Sequence, residues 1–223
     1  MTAIWRWLVF AAVLAIAGVA QFPLRLAGLD RAGVTARAAQ GTIWSGRLDD
    51  ASWRGVPIGD IEVGLSTMAL LGGRLRLDFG GAAIRGTLVR RAGGSGVTGL
   101  SGGVGPLQIG GVAMTALTFE AVEIGFAAGT CAEAAGVVRL QPAAGLGAGD
   151  ALVGAPRCDG DALVLPLASA SGKQRLDMRV DADRHYRATL AIDNPAEAQR
   201  AALLAAGFRP TPAGLALSVE GEF

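Results

Sequence analysis

Apolar residues recur at every second position in one segment after another of this chain. Leu75, Leu77 and Phe79 alternate with Arg74, Arg76 and Asp78, and Leu163, Leu165 and Leu167 continue the rhythm. Leu176, Met178 and Val180 alternate with Arg175, Asp177, Arg179 and Asp181; Tyr186, Ala188, Leu190 and Ile192, then Leu215, Leu217 and Val219, repeat it. Successive strand side chains point to opposite faces of a sheet, so this period commits the chain to half-buried β-strands. Turn signals stand between the runs: Gly72-Gly73, Gly93-Gly94, Gly102-Gly103, Asp159-Gly160 and Ser171-Gly172. They favour antiparallel hairpins over βαβ crossovers. The pattern predicts a mainly β fold, a curved antiparallel meander sheet, with glycines inside the strand patterns marking bulges and bends.

One short helix is expected near the C-terminus, with Asn194 as cap, Pro195 at the first helical position, residues 196–206 inside and Gly207 at the end. A weaker helical turn is expected over residues 66–71. No Pro- or Ser-rich linker interrupts the chain, so residues 25–223 read as one domain.

Residues 7–24 form 18 consecutive uncharged positions between Arg6 and Arg25, with Trp5 and Trp7 at the front edge. As a helix this run spans about 27 Å, close to the roughly 30 Å of a bilayer's hydrocarbon core. The expectation is an N-terminal transmembrane helix over residues 1–24, carrying the β-rich domain of residues 25–223 outside the cytoplasm. The rival is a cleaved signal peptide, with Arg6 as its charged start and Ala15-Ile16-Ala17 or Gly18-Val19-Ala20 as its cleavage site. Either reading sends the chain to a membrane.

The charge balance narrows the partners. With 20 basic against 19 acidic residues in 223, there is no basic field for nucleic acid. All the positive charge except Lys173 is arginine, scattered among Asp and Glu. Cys131 and Cys158 are the only cysteines, in neither a C-x-x-C pair nor the company of a histidine that completes a zinc site. On an exported domain they read as one disulfide, the alternative being two unrelated buried thiols.

Candidate chemistry is thin. Gly94-Ser95-Gly96-Val97-Thr98-Gly99 matches the dinucleotide fingerprint in letters but lacks a following helix to present its amides to a pyrophosphate. Gly99-Leu100-Ser101-Gly102-Gly103 matches a nucleophile elbow, with Asp159 or Asp161 and His185 as triad partners in chain order. The glycines and Pro106 after Ser101 break the helix that an elbow needs. The carboxylate pairs Asp49-Asp50 and Asp181/Asp183 read as solvated hairpin ends. A single histidine excludes a multi-histidine metal site, so neither catalytic residues, a metal nor a cofactor is expected, and the chain reads as a non-enzyme.

The most distinctive segment is Gly41-Thr42-Ile43-Trp44-Ser45-Gly46, followed by Trp53-Arg54-Gly55. It reads as a first hairpin in which Trp44, between Gly41 and Gly46, packs over the start of the sheet while Asp49-Asp50 turns the chain. Alternatively, Trp44 and Trp53 belong to an exposed partner surface, where aromatic anchors are enriched.

At this hexapeptide the sequence resembles the type II secretion system protein N family, also called general secretion pathway protein N. The likeness extends to the N-terminal apolar segment, Leu70-Leu71-Gly72-Gly73-Arg74-Leu75, the Cys131 and Cys158 pair, Cys158-Asp159-Gly160, and the stretch from Asn194-Pro195 to Gly221-Glu222-Phe223. The resemblance implies a non-enzymatic accessory subunit of the Gram-negative machine that exports folded proteins from the periplasm. It implies a single-pass inner-membrane protein with most of the chain in the periplasm, partnered by the inner-membrane platform and the outer-membrane secretin. A second class of function stays open, a membrane-anchored β-groove protein that shields lipid chains.

Overall fold

The computed structural model describes residues 17–109, 112–143, 150–183 and 185–222, together with Trp5, Trp7, Phe10 and Leu14. Within them the alternating runs become strands of one antiparallel sheet. Strands β1 (Val34–Thr35) and β2 (Ala38–Gly41) both pair with β3 (Gly46–Trp53). From there β4 (Val56–Leu65), β5 (Leu75–Gly81), β6 (Ile84–Arg91) and β7 (Gly94–Val104) follow as hairpins in sequence order. β7 and the short β8 (Leu107–Ile109) both lie on β9 (Val112–Ala127), which pairs with β10 (Thr130–Pro142). The second half continues through β11 (Leu152–Gly154) and β12 (Arg157–Asp159) to β13 (Ala162–Ala168), β14 (Gln174–Val180) and β15 (His185–Asp193). It closes with β16 (Arg209–Thr211) and β17 (Gly214–Glu222). The expected meander is therefore present.

The bends have identifiable sources. Asp50 in β3 and Ala121 in β9 both adopt φ 48°. At each the register slips, between Leu48 and Ala51 in the first case and between Leu100 and Gly102 on the facing β7 in the second. An extra residue on one strand of a pair sharpens the local twist, which is how so long a sheet curls.

Two apolar clusters line the curled sheet. One is small: Leu24, Leu48, Ala51, Ile61, Val63 and Ile84. The other runs from Val112 and Met114 through Leu140, Leu152, Leu176 and Leu190 to Leu215. Leu100 and Phe119 touch both.

The halves meet at a thin seam. β11 pairs with β10 at three residues and with β13 only at Val153 opposite Ala168. Cys131, at the start of β10, and Cys158, in β12, are joined by a disulfide across this seam, and the Cys131 amide donates to the Asp161 carbonyl at 2.9 Å. Closing a loop of 27 residues stabilises a fold by about 3.5 kcal/mol in the chain-entropy picture.

Two helices stand out beside the strands. α1 (Thr67–Leu71) is the expected turn, capped by the Ser66 hydroxyl, which accepts from the Ala69 amide. α2 (Glu197–Ala205) is the expected C-terminal helix, but its N-cap is Ala196 rather than Asn194. Asn194 instead takes φ 46° and donates its amide to the Ala213 carbonyl, so it turns the chain out of β15. Leu203, and Phe208 just beyond the helix, pack into the larger core.

Half of the expected membrane segment, residues 1–24, falls outside the described residues. Trp5, Trp7, Phe10, Leu14 and residues 17–20 are helical and exposed, and among the described residues no helix is long and apolar enough to cross a membrane. Leu24, the last residue of the apolar run, is 4% exposed in the smaller core, so the folded domain takes hold of the chain just after Gln21.

Candidate functional site

The hexapeptide is a four-residue loop between β2 and β3, closed by Gly41 opposite Gly46. The Thr42 amide donates to the Ser45 carbonyl, and the Ser45 amide donates to the Thr42 hydroxyl. Both glycines are required by contact: a Cβ on Gly41 meets the Ser45 carbonyl oxygen at 2.5 Å, and one on Gly46 meets the Leu24 side chain at 2.6 Å. Gly64 in β4 is equally constrained, because the Trp44 carbonyl would lie 2.8 Å from its Cβ. The loop thereby folds down onto β4, where the Leu65 amide donates to the Ile43 carbonyl at 2.9 Å.

Its other side grips the N-terminal segment. The Ile43 amide donates to the Phe22 carbonyl at 3.1 Å, Pro23 and Thr42 form an isolated antiparallel bridge, and the Trp44 indole N–H donates to the Val19 carbonyl at 2.8 Å. Val19 lies in the last helical turn before Gln21. A helix leaves its final carbonyls without intrahelical donors, and Trp44 supplies one, alongside the Phe22 amide at 3.3 Å. The loop is a clamp between the end of the N-terminal helix and the first sheet strands. Val19, Phe22 and Gly64 carry no motif of their own, although a glycine inside the alternating strand pattern of residues 61–65 signals a close backbone approach.

Trp53 lies at the far end of β3, roughly 20 Å from the loop at the usual strand rise. It is 45% exposed and donates its indole N–H to the Ala32 carbonyl at 3.2 Å. Trp44 and Trp53 thus do not share one surface; each ties the chain before β1 and β2 to a different end of β3.

Asp49 and Asp50 do not turn the chain. They lie inside β3, where Asp50 is the bulge. The Asp60 carboxylate accepts the Asp50 amide at 2.9 Å and also pairs with Arg47; Arg47 bridges to Asp49, and Arg37 pairs with Asp50. The Asp50 amide, and then Arg47, hold the Asp60 carboxyl below the usual carboxylate range. Arg47 is raised by Asp49 and Asp60, and Arg37 by Asp50.

Beside the clamp, β2 to β6 form an open trough of about 1110 Å³. Trp44, Ile61, Val63 and Phe79 contribute apolar lining, and Arg47, Asp60, Glu62, Asp78 and Arg85 contribute charge of both signs. A second hollow of about 430 Å³ shares Phe79 and Arg85 and extends toward Thr98 and Glu123. Mixed charge with apolar spots suits a polypeptide surface better than a phosphate or an acyl chain.

The candidate enzyme residues are dispersed. Ser101 lies in mid-strand β7, where its hydroxyl accepts the amide of the Ala121 bulge at 3.1 Å and donates to the Gly99 carbonyl. His185 lies on β15 and faces Glu222 at 3.0 Å; Asp159 and Asp161 pair with Arg179. β9, β10, β11, β13 and β14 stand between Ser101 and His185 in the sheet. Residues 94–99 are strand, so the glycine-rich match opens no helix for a pyrophosphate. Asp181 pairs with Arg179, and Asp183 with His185. Among the described residues no cluster of His, Cys, Asp and Glu is placed to hold a metal ion.

A family model described as type II secretion system (T2SS), protein N matches residues 32–217. The matched span holds every strand of the sheet in part or whole, and it includes the hexapeptide and both cysteines. No curated protein and no solved structure matches the chain.

Proposed function

The chain belongs to the type II secretion system protein N family, and from that premise we propose that it is a non-enzymatic assembly subunit held in the inner membrane by its N-terminal segment. In this reading the domain of residues 25–223 lies in the periplasm and docks on other secretion subunits, the inner-membrane platform and the outer-membrane secretin. The family match carries the proposal. The clamp supports it: Trp44 and Ile43 couple the end of the apolar segment rigidly to the strands that line the trough, so the trough is presented at a fixed distance from the anchor.

The lipid-groove alternative calls for an apolar channel, whereas the trough carries five charged side chains. The two readings part in one experiment. A photo-crosslinking residue is placed at Glu62 or Arg85 in the full chain, within cells that carry the secretion machinery. Adducts with platform or secretin subunits support assembly. Adducts with lipid alone, together with normal secretion when the gene is deleted, overturn it. Ser101→Ala and His185→Ala are expected to leave secretion unchanged, and a defect with normal abundance would revive a hydrolase.

A further inference from the structure

We infer that α1 and the strand ends beside it form a second, interfacial contact with the bilayer, seated in the headgroup region next to the N-terminal segment. This inference rests on the reading of that segment as membrane-inserted.

The observation is a group of large apolar side chains left in solvent at one end of the sheet. Met68 is 76% exposed and Leu71 84%, with Leu70, Leu75 and Leu88 each about two-fifths exposed. Such a set on a short helix and neighbouring strand ends makes a contiguous apolar patch, which a soluble face seldom carries without a partner. The topology states which end this is. α1 starts two residues after Leu65, and the Leu65 amide is bonded to Ile43 inside the clamp loop. Leu75 pairs with Arg90 and Leu77 with Leu88, so β5 begins and β6 ends at this same end. Phe22, 39% exposed where the N-terminal helix gives way to the clamp, lies there too. The patch is therefore continuous with the site at which the apolar segment enters the domain.

Charge agrees with the placement. Arg74, Arg90 and Arg91 flank the patch, Arg90 directly opposite Leu75, and none of the three forms an ion pair among the described residues. Apolar side chains flanked by unpaired cations fit an anionic bilayer surface, with the leucines and Met68 at the acyl boundary and the guanidinium groups at phosphates. Inserted in this way, α1 fixes the tilt of the domain over the membrane, a constraint that a single helical tether does not supply.

The test uses the full chain with its disulfide intact, reconstituted in vesicles of phosphatidylethanolamine and phosphatidylglycerol. An environment-sensitive fluorophore is attached in separate preparations at Met68→Cys, Leu71→Cys, Leu14→Cys and, in the exposed turn between β16 and β17 at the far edge of the sheet, Ala213→Cys. Lipids carrying a shallow or a deep nitroxide quencher then report depth. The expected result is several-fold stronger quenching at positions 68 and 71 than at 213, dominated by the shallow quencher as an interfacial contact requires. Quenching at 14 but not at 68 or 71 overturns this inference and leaves the membrane reading intact. Quenching at none of the four overturns both. Replacing Arg90 and Arg91 by Glu is expected to bring quenching at 68 and 71 down toward the level at 213 while leaving 14 unchanged; unaltered quenching removes the role of charge.

Discussion

Strands β3 to β7 and strands β13 to β17 follow the same alternation, yet their apolar faces are covered differently. Among the described residues, five of the six buried residues of the smaller core lie on β3, β4 and β6, whereas of the larger core's fourteen, eight lie from β13 onward, one on β11 and five on β9 and β10. In the second half Leu203 and Phe208 pack onto the sheet and Leu215 is fully buried. In the first half Leu75 and Leu88 remain about two-fifths exposed, and order comes from tethers: the Trp44 clamp, the Trp53 bond and the Asp60 network. Alternation specifies a face but leaves its cover unspecified. A face covered by its own chain serves stability, whereas a face left open is available to a partner or a membrane, and regions held by few buried contacts open first.

The largest test truncates each core at its centre. Leu215→Ala is expected to cost about 4 kcal/mol and Leu48→Ala about 2 kcal/mol, because a shallow core collapses around a cavity more readily than a deep one. Denaturant unfolding measures both, and equal costs would break the comparison. Next comes the seam. Replacing Cys131 and Cys158 by Ser is expected to cost about 3.5 kcal/mol and to split calorimetric unfolding into two transitions, the first half melting earlier. A single transition at lower temperature would show that β11 and the core shared with β9 and β10 couple the halves without the disulfide.

How much of this was legible beforehand depends on the range of the interaction. Period two located the β5, β13, β14, β15 and β17 strands because each residue's face follows from its own position. Pro195 and Gly207 bracketed α2 within a residue or two, but Asn194 reads as a cap in sequence only because Asn suits both a cap and a left-handed turn. Asp49-Asp50 reads as a hairpin end for the same local reason. Its true role depends on Asp60, ten residues away, whose carboxylate stabilises the bulge. The hexapeptide was visible as a motif with a tryptophan between two glycines, whereas its purpose depends on Val19 and Phe22 in a segment that reads only as apolar. Bulges and clamps are long-range pairings of residues that look ordinary in isolation.

A smaller effect is expected at the clamp. Trp44→Phe keeps a ring and removes the indole donor, so it should cost about 1 kcal/mol, the net worth of one hydrogen bond. The change should be local: amide exchange at Ile43 and Leu65 quickens, while amides on β15 and β17 keep their protection. Quickened exchange on β15 would mean that the halves are coupled more tightly than the two cores imply.

The smallest effect distinguishes two bulges that look alike in backbone geometry. The Asp50 amide is held by the Asp60 carboxylate and the Ala121 amide by the Ser101 hydroxyl, so only the first has a partner that titrates. The folded-state pKa of Asp60 lies below its ordinary value. Its contribution is therefore present in full above the unfolded value of about 4 and is lost as pH falls through the folded value. Protection of the Asp50 amide, corrected for intrinsic exchange, should decline with acidification below about pH 4, while protection of Ala121 stays flat. In Asp60→Asn the amide oxygen still accepts the Asp50 N–H but carries no charge, so the decline at Asp50 should vanish and Ala121 should not change. Parallel acid profiles at the two bulges in the wild-type chain would mean that acid acts on the sheet as a whole, and the distinction between a bulge held by a carboxylate and one held by a hydroxyl would fail there.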